Sequence, residues 1–141
     1  MESLRLASVL GLRTYAMFCP LLPGIADAPE QIDRLVAFAV ECHAEEIFVE
    51  PVNPRGPGLR LAQEALDSRG FHEEAAAVAC IRRKTEWSRY VLRVIQNVQR
   101  SVRAHYDIDR LRFLLYPSRL THEDAARIRQ DDAGVIWLGK R

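Results

Sequence analysis

Apolar positions along the chain form short continuous runs in some stretches and recur at helical spacing in others, and the switches mark its elements. Residues 2–10 read as a helix ended by Gly11, a residue type common just past a helix end. Residues 13–19 (RTYAMFC) are a short apolar run rich in strand formers. The PLLPG that follows at 20–24 breaks regular structure. Asp27 and Glu30 have the spacing of a capping box, and Pro29 is tolerated in a first turn. Ile32, Leu35, Val36 and Ala39 then repeat at helical spacing to about Cys42. Residues 46–50 (EIFVE) predict a second strand. PVNPRGPG at 51–58 must be loop. Helical segments near 59–68 and 72–84 flank Gly70. A long helix from about Trp87 carries the apolar stripe Trp87, Val91, Val94, Ile95, Val98 and Val102. Residues 111–116 predict a third strand stopped by Pro117. Thr121 and Asp124 match a second capping box before a helix to about Arg129, and 135–138 (VIWL) predict the last strand.

Strands alternating with helices imply βαβ units and a mostly parallel sheet, so the class is α/β. The strands read as near-continuous apolar runs, as parallel strands covered on both faces do. Ligand sites in such sheets lie at the carboxyl ends of the strands. Those ends fall at 20–24, 50–55 and 116–118. The length of 141 residues suits one domain spanning 1–141.

Composition adds little to this picture. Hydrophobic residues at 48% and charged residues at 28% are ordinary for a globular chain. A net charge of +1 favours no class of partner. The longest apolar stretches are too short to span a bilayer, and the N-terminus lacks a basic segment and a cleavage site. The expectation is a cytoplasmic protein with no membrane partner. Cys19, Cys42 and Cys80 form no CxxC pair and read as small buried hydrophobes. His43, His72, His105 and His122 share no ligand spacing, so no metal site is expected.

Three segments are candidates for chemistry. The proline- and glycine-rich loop after the first strand brings backbone close to any ligand, although a plain turn has the same composition. Glu50 closes an apolar strand, where a charge is costly unless paired, and Asn53 and Arg55 follow within one loop. The three side chains suit ribose hydroxyls, an amino group and a carboxylate. The plainer reading is a Glu50–Arg55 ion pair with Asn53 stabilising the turn. Arg89, Arg93, Arg100 and Arg103 lie opposite the stripe of the long helix and, with Arg82, Arg83 and Lys84, form a basic surface. Such a surface fits phosphates, and it also fits an ordinary solvated face.

The stretch from GLRTYAMFCPLLPGIAD to EEIFVEPVNPRG resembles the fifth and sixth strand units of radical S-adenosylmethionine (SAM) proteins of the spore photoproduct lyase-like group. The marks are P-L-L-P-G-I-x-D at 20–27 and E-x-x-N-P-R at 50–55, about a third of the chain. Weaker similarity runs on through WSRYVLRVIQNVQ and LRFLLYPS. The resemblance implies the C-terminal portion of a partial (βα) barrel, with mostly parallel strands and a long helix in its C-terminal half. It implies a SAM- and substrate-facing role, with Phe18, Pro20, Leu22, Gly24, Glu50 and Asn53 lining the SAM cavity, and nucleic acid as the suggested substrate. The family's [4Fe-4S] cluster sits on a CxxxCxxC loop that this chain lacks, so no cluster ligand is assigned here and activity alone is not expected.

The implied partner is an N-terminal radical SAM half carrying the earlier strands. Strand 13–19 is then expected to pair with strand 46–50 on one side only. Its free edge, TYAMF, has no proline or lysine to discourage pairing, so self-association is expected. The competing expectation is a non-catalytic α/β module that contacts nucleic acid or protein through the arginine face.

Overall fold

The near-continuous apolar strands suit a sheet covered on both faces, but helices cover only one face of the sheet found here. The computed structural model describes residues 2–139. Its helices are α1 (Glu2–Val9), α2 (Pro29–Glu41), α3 (Gly58–Asp67), α4 (His72–Cys80), α5 (Lys84–His105) and α6 (His122–Gln130). The strands β1 (Ala16–Leu21), β2 (Ile47–Pro51), β3 (Leu111–Leu115) and β4 (Val135–Trp137) form one sheet in the order β1-β2-β3-β4. Each neighbouring pair is parallel. Strand order equal to chain order is the winding of a (βα) barrel segment, and the fold is α/β and partial-barrel-like.

Register decides which side chains meet the helices. Met17 aligns with Phe48, Phe48 with Arg112, and Leu114 with Ile136. One face therefore carries Ala16, Ile47, Val49, Leu111, Phe113 and Leu115, all buried in a single core. That core is closed by Ile32, Val36 and Ala39 of α2, the Trp87–Val102 stripe of α5, and Ala125 and Ile128 of α6. Burying each such side chain contributes roughly 1.5–3 kcal/mol. The opposite face carries Tyr15, Met17, Cys19, Phe48, Glu50, Arg112, Leu114 and Ile136, all exposed or half-buried.

The elements depart from the sequence pattern in four places. β1 continues through Pro20 to Leu21 instead of breaking at Pro20, with a cis Cys19–Pro20 bond and a register shift between Phe18 and Leu21. Proline is tolerated there because β1 is an edge strand. The Asp27–Glu30 capping box does not form. Ala28 takes the N-cap position of α2 with no side-chain cap. Asp27 instead accepts a hydrogen bond from the Gly24 amide (2.7 Å) and another from Arg93 (3.1 Å). The segment near 72–84 ends at Cys80, and α5 begins at Lys84, one turn before Trp87. The second capping box forms by half. Thr121 Oγ1 accepts from the Asp124 amide at the start of α6, while the Asp124 carboxylate accepts from the hydroxyls of Ser88 and Thr121.

Among the described residues, no helix is long and apolar enough to cross a membrane. α1 buries none of its residues. It touches the rest of the chain through Arg5, which pairs with Glu41 (3.2 Å) and lies over the Phe38 ring.

Candidate functional site at the strand carboxyl ends

The carboxyl ends of β2 and β3 lie side by side, and the loops leaving them fold over a narrow cleft. Its enclosed part is about 20 Å3, and it is lined by Glu50, Asn53, Arg55, Trp87, Tyr116 and Arg119, among others. That is room for one water-sized group. Trp87 forms the floor. Its indole N–H donates to the Val52 carbonyl (2.9 Å), so α5 fixes the path of the β2 loop. Tyr90, one residue type the sequence pattern had no role for, donates to the Leu21 carbonyl and fixes the β1 loop in the same way. Burial raises the Tyr90 phenol well above its ordinary pKa, and it stays a neutral donor.

The charges around the cleft are the informative part. The expected Glu50–Arg55 ion pair is not formed. The Glu50 carboxylate accepts a hydrogen bond from the Cys19 thiol (3.4 Å), and the Arg55 guanidinium donates to Ser118 Oγ (3.1 Å). Desolvation first, and then the Glu50 bond and charge, push the Cys19 thiol upward in pKa, so it remains a protonated donor. Asn53 does hold the turn, accepting from the Arg55 amide (3.0 Å). Arg119 donates to the Arg82 carbonyl (3.2 Å), but its Nε is buried with no hydrogen-bond partner among the described residues. One carboxylate and two guanidiniums thus border a single cleft, each without a partner of opposite charge. A zwitterion has the matching pattern, because its ammonium fits a carboxylate and its carboxylate fits guanidiniums.

The other sequence candidates are placed elsewhere. Phe18 and Leu22 pack against the core on the helix side of the sheet. Pro20 is exposed in β1. Gly24 adopts φ +74°, and a Cβ there would stand 3.0 Å from Ala77 Cβ, so this glycine lets α4 approach the β1 loop. The cleft therefore unites Glu50 and Asn53 with Arg55 and leaves the β1-loop candidates on its flank. Arg119 and Trp87 were missed. The only sequence signal for Arg119 was its place just after the third strand end.

The arginine face of α5 is exposed as expected, yet most of its charge is engaged. Arg89 pairs with Glu86 (3.2 Å), Arg93 with Asp27 (3.1 Å) and Arg103 with Asp131 (2.7 Å). Of the four, Arg100 alone makes no ion pair among the described residues.

The three cysteines occupy different environments. Cys19 is exposed on β1, Cys42 is buried behind α2, and Cys80 is half-buried at the end of α4. They do not converge, and no cluster of metal-ligating side chains occurs among the described residues. The donor set of a [4Fe-4S] site does not fit this chain.

No protein-family model, curated protein or solved structure matches the chain.

Proposed function

We propose that this chain is the SAM- and substrate-facing C-terminal part of a radical SAM enzyme, completed by an N-terminal half that pairs with the open edge of β1. The observation that carries the reading is the charge pattern of the cleft, which Glu50, Arg55 and Arg119 line with no ion pair among the described residues. SAM ends in an α-amino acid group, which has the complementary charges. A parallel sheet with an uncovered face and a free edge suits a barrel segment whose inner wall awaits further strands. The [4Fe-4S] chemistry of such enzymes belongs to the other half, since the cysteines here do not converge. The residues of this chain bind and orient. A nucleic-acid substrate is carried in this reading by the sequence resemblance alone. The competing module reading is weakened by the ion pairs that occupy most of the arginine face.

The test is a titration of the full chain with SAM, followed through Trp87 fluorescence and amide chemical shifts. The cleft encloses little volume by itself, so binding is expected to be weak and saturable. Glu50→Gln and Arg55→Gln should each weaken it by about tenfold or more, the worth of one charge-assisted hydrogen bond. Their melting temperatures should stay close to the parent's, because neither side chain is in an ion pair. No saturable response, or an equal response in both variants, would overturn the reading.

A further inference from the structure

The helix layer holds a second arrangement, remote from the strand-end cleft. A groove of about 610 Å3 runs between the start of α2 and the α4–α5 corner, bordered by Asp27, Pro29, Ala77, Tyr90, Arg93 and Asn97. Past Pro29 and Asn97 it continues into a compartment of about 470 Å3 that also holds Arg34 and Arg100. Asn97 sits where the two compartments join. It is only 8% exposed, and its side-chain amide has no hydrogen-bond partner among the described residues. Its amide opens onto the groove, where a ligand can pair with it.

The start of α2 faces the same groove. This helix of 13 residues has no side-chain cap, because Asp27 is spent on Gly24 and Arg93. Pro29 has no N–H, and the amides of Gln31 and Ile32 both turn to the Ala28 carbonyl (3.0 Å each). The Glu30 amide is the first-turn donor left open, at the positive end of the helix dipole. The acids nearby are largely committed. Asp33 accepts from Ser101 (2.9 Å) and lies 2.9 Å from His105 Nε2. Glu30 is exposed at the rim, close to Arg34, whose Nε donates to the Glu30 carbonyl (3.2 Å). Arg100 has no acidic partner among the described residues.

An open helix N-terminus, the unpaired amide of a largely buried asparagine and an unpaired guanidinium converge on one compartment. The geometry points to a phosphate-binding site, in which Asn97 and the Glu30 amide donate to phosphate oxygens and Arg100 supplies the charge-assisted bond. The phosphate belongs either to a small phosphate ester or to a phosphodiester. The site stands independently of the SAM reading, since it shares no residue with the strand-end cleft.

Calorimetric titration of the full chain at low ionic strength tests it, with inorganic phosphate, pyrophosphate and a short single-stranded oligonucleotide as probes. Saturable binding of pyrophosphate is expected, weakened about tenfold by Arg100→Gln and by Asn97→Leu, each of which removes one hydrogen-bonding group. Arg103→Gln, whose parent residue pairs with Asp131 outside the compartment, should bind as the parent does. Asn97→Leu should melt close to the parent, because the amide it removes makes no hydrogen bond within the fold. Should that variant fail to fold, Arg100→Gln decides alone. Oligonucleotide binding displaced by pyrophosphate assigns the site to a phosphodiester, and pyrophosphate binding without oligonucleotide binding assigns it to a small ester. Both outcomes support the site. Absence of saturable binding by any probe, or binding that Arg100→Gln leaves unchanged, overturns it.

Discussion

The two faces of the sheet are built from the same strands and differ in almost every other respect. On the helix side Ile47, Val49, Leu111, Phe113 and Leu115 are completely buried. On the other side Tyr15 and Met17 are more than half exposed, and Phe48, Glu50, Arg112 and Leu114 are half-buried. Yet the open face is not a solvated polar surface. Tyr15 meets Phe48 edge-to-face at 5.4 Å, and the Arg112–Glu46 pair (2.7 Å) lies beside an apolar row of Met17, Phe48, Leu114 and Ile136. A sheet face turned to water usually carries polar side chains, and this face of the parallel sheet is largely apolar. Leu6, Val9, Leu10 and Leu12 of the N-terminal segment are exposed as well.

The largest predicted effect separates the faces by their contribution to stability. Phe113→Ala empties a fully enclosed position and should cost about 3–5 kcal/mol, the usual range for a buried aromatic. Phe48→Ala, one register position away on the open face, should cost much less, about 1 kcal/mol, because its environment is already partly water. Urea denaturation of both variants measures the difference. Equal losses would mean that the open face is covered in solution by something the isolated fold does not show.

The covered face was legible in the sequence because it repeats. The Trp87–Val102 stripe and the apolar strand runs placed all four strands and the long helix within a few residues of their positions. What escaped was decided by contacts between distant segments. Asp27 has a capping-box partner three residues on, but the guanidinium of Arg93, 66 positions away, takes its carboxylate. Glu50 and Arg55 are neighbours in sequence and of opposite charge, yet Cys19 and Ser118 claim them instead. Arg119 has no periodic signature, and its place in the same cleft as Glu50 depends on the β2–β3 pairing. Local pattern reports which face a residue shares; it does not report which partner wins.

A second prediction tests the open face directly, with a smaller effect on stability and a larger one on assembly. If the β1 edge and its apolar row recruit another strand, the chain should self-associate at micromolar concentration. Met17→Glu places a charge on that row, where edge strands of stable monomers often carry one. Light scattering should then show smaller particles, with the unfolding midpoint shifted little because Met17 is exposed. A parent chain that is monodisperse and monomeric would count against an unsatisfied edge, and with it the barrel-segment reading.

The smallest expected effect lies in the ion pairs on the helix side. The Ser101 hydroxyl and then His105 hold the Asp33 carboxyl below its ordinary pKa, and Arg103 does the same for Asp131. A carboxylate whose pKa is depressed by folding contributes stability at all pH values above its unfolded pKa, near 4. That contribution disappears as pH falls through the lower folded value. The parent chain should therefore lose stability in acid over a window that begins near pH 4 and extends below it. Both carboxylates are exposed, so solvent screens each contribution and the shift is modest. Asp131 also shares its segment with Gln99, whose amide donates to the carbonyls of Asp131 (2.9 Å) and Ala133 (3.0 Å) and leads the chain into β4. Asp131→Asn should flatten the acid limb while Gln99 keeps β4 in place. Circular dichroism melts between pH 2 and 6, at low and high salt, supply the measurement. An acid limb of unchanged steepness in Asp131→Asn would show that the Arg103 pair contributes nothing.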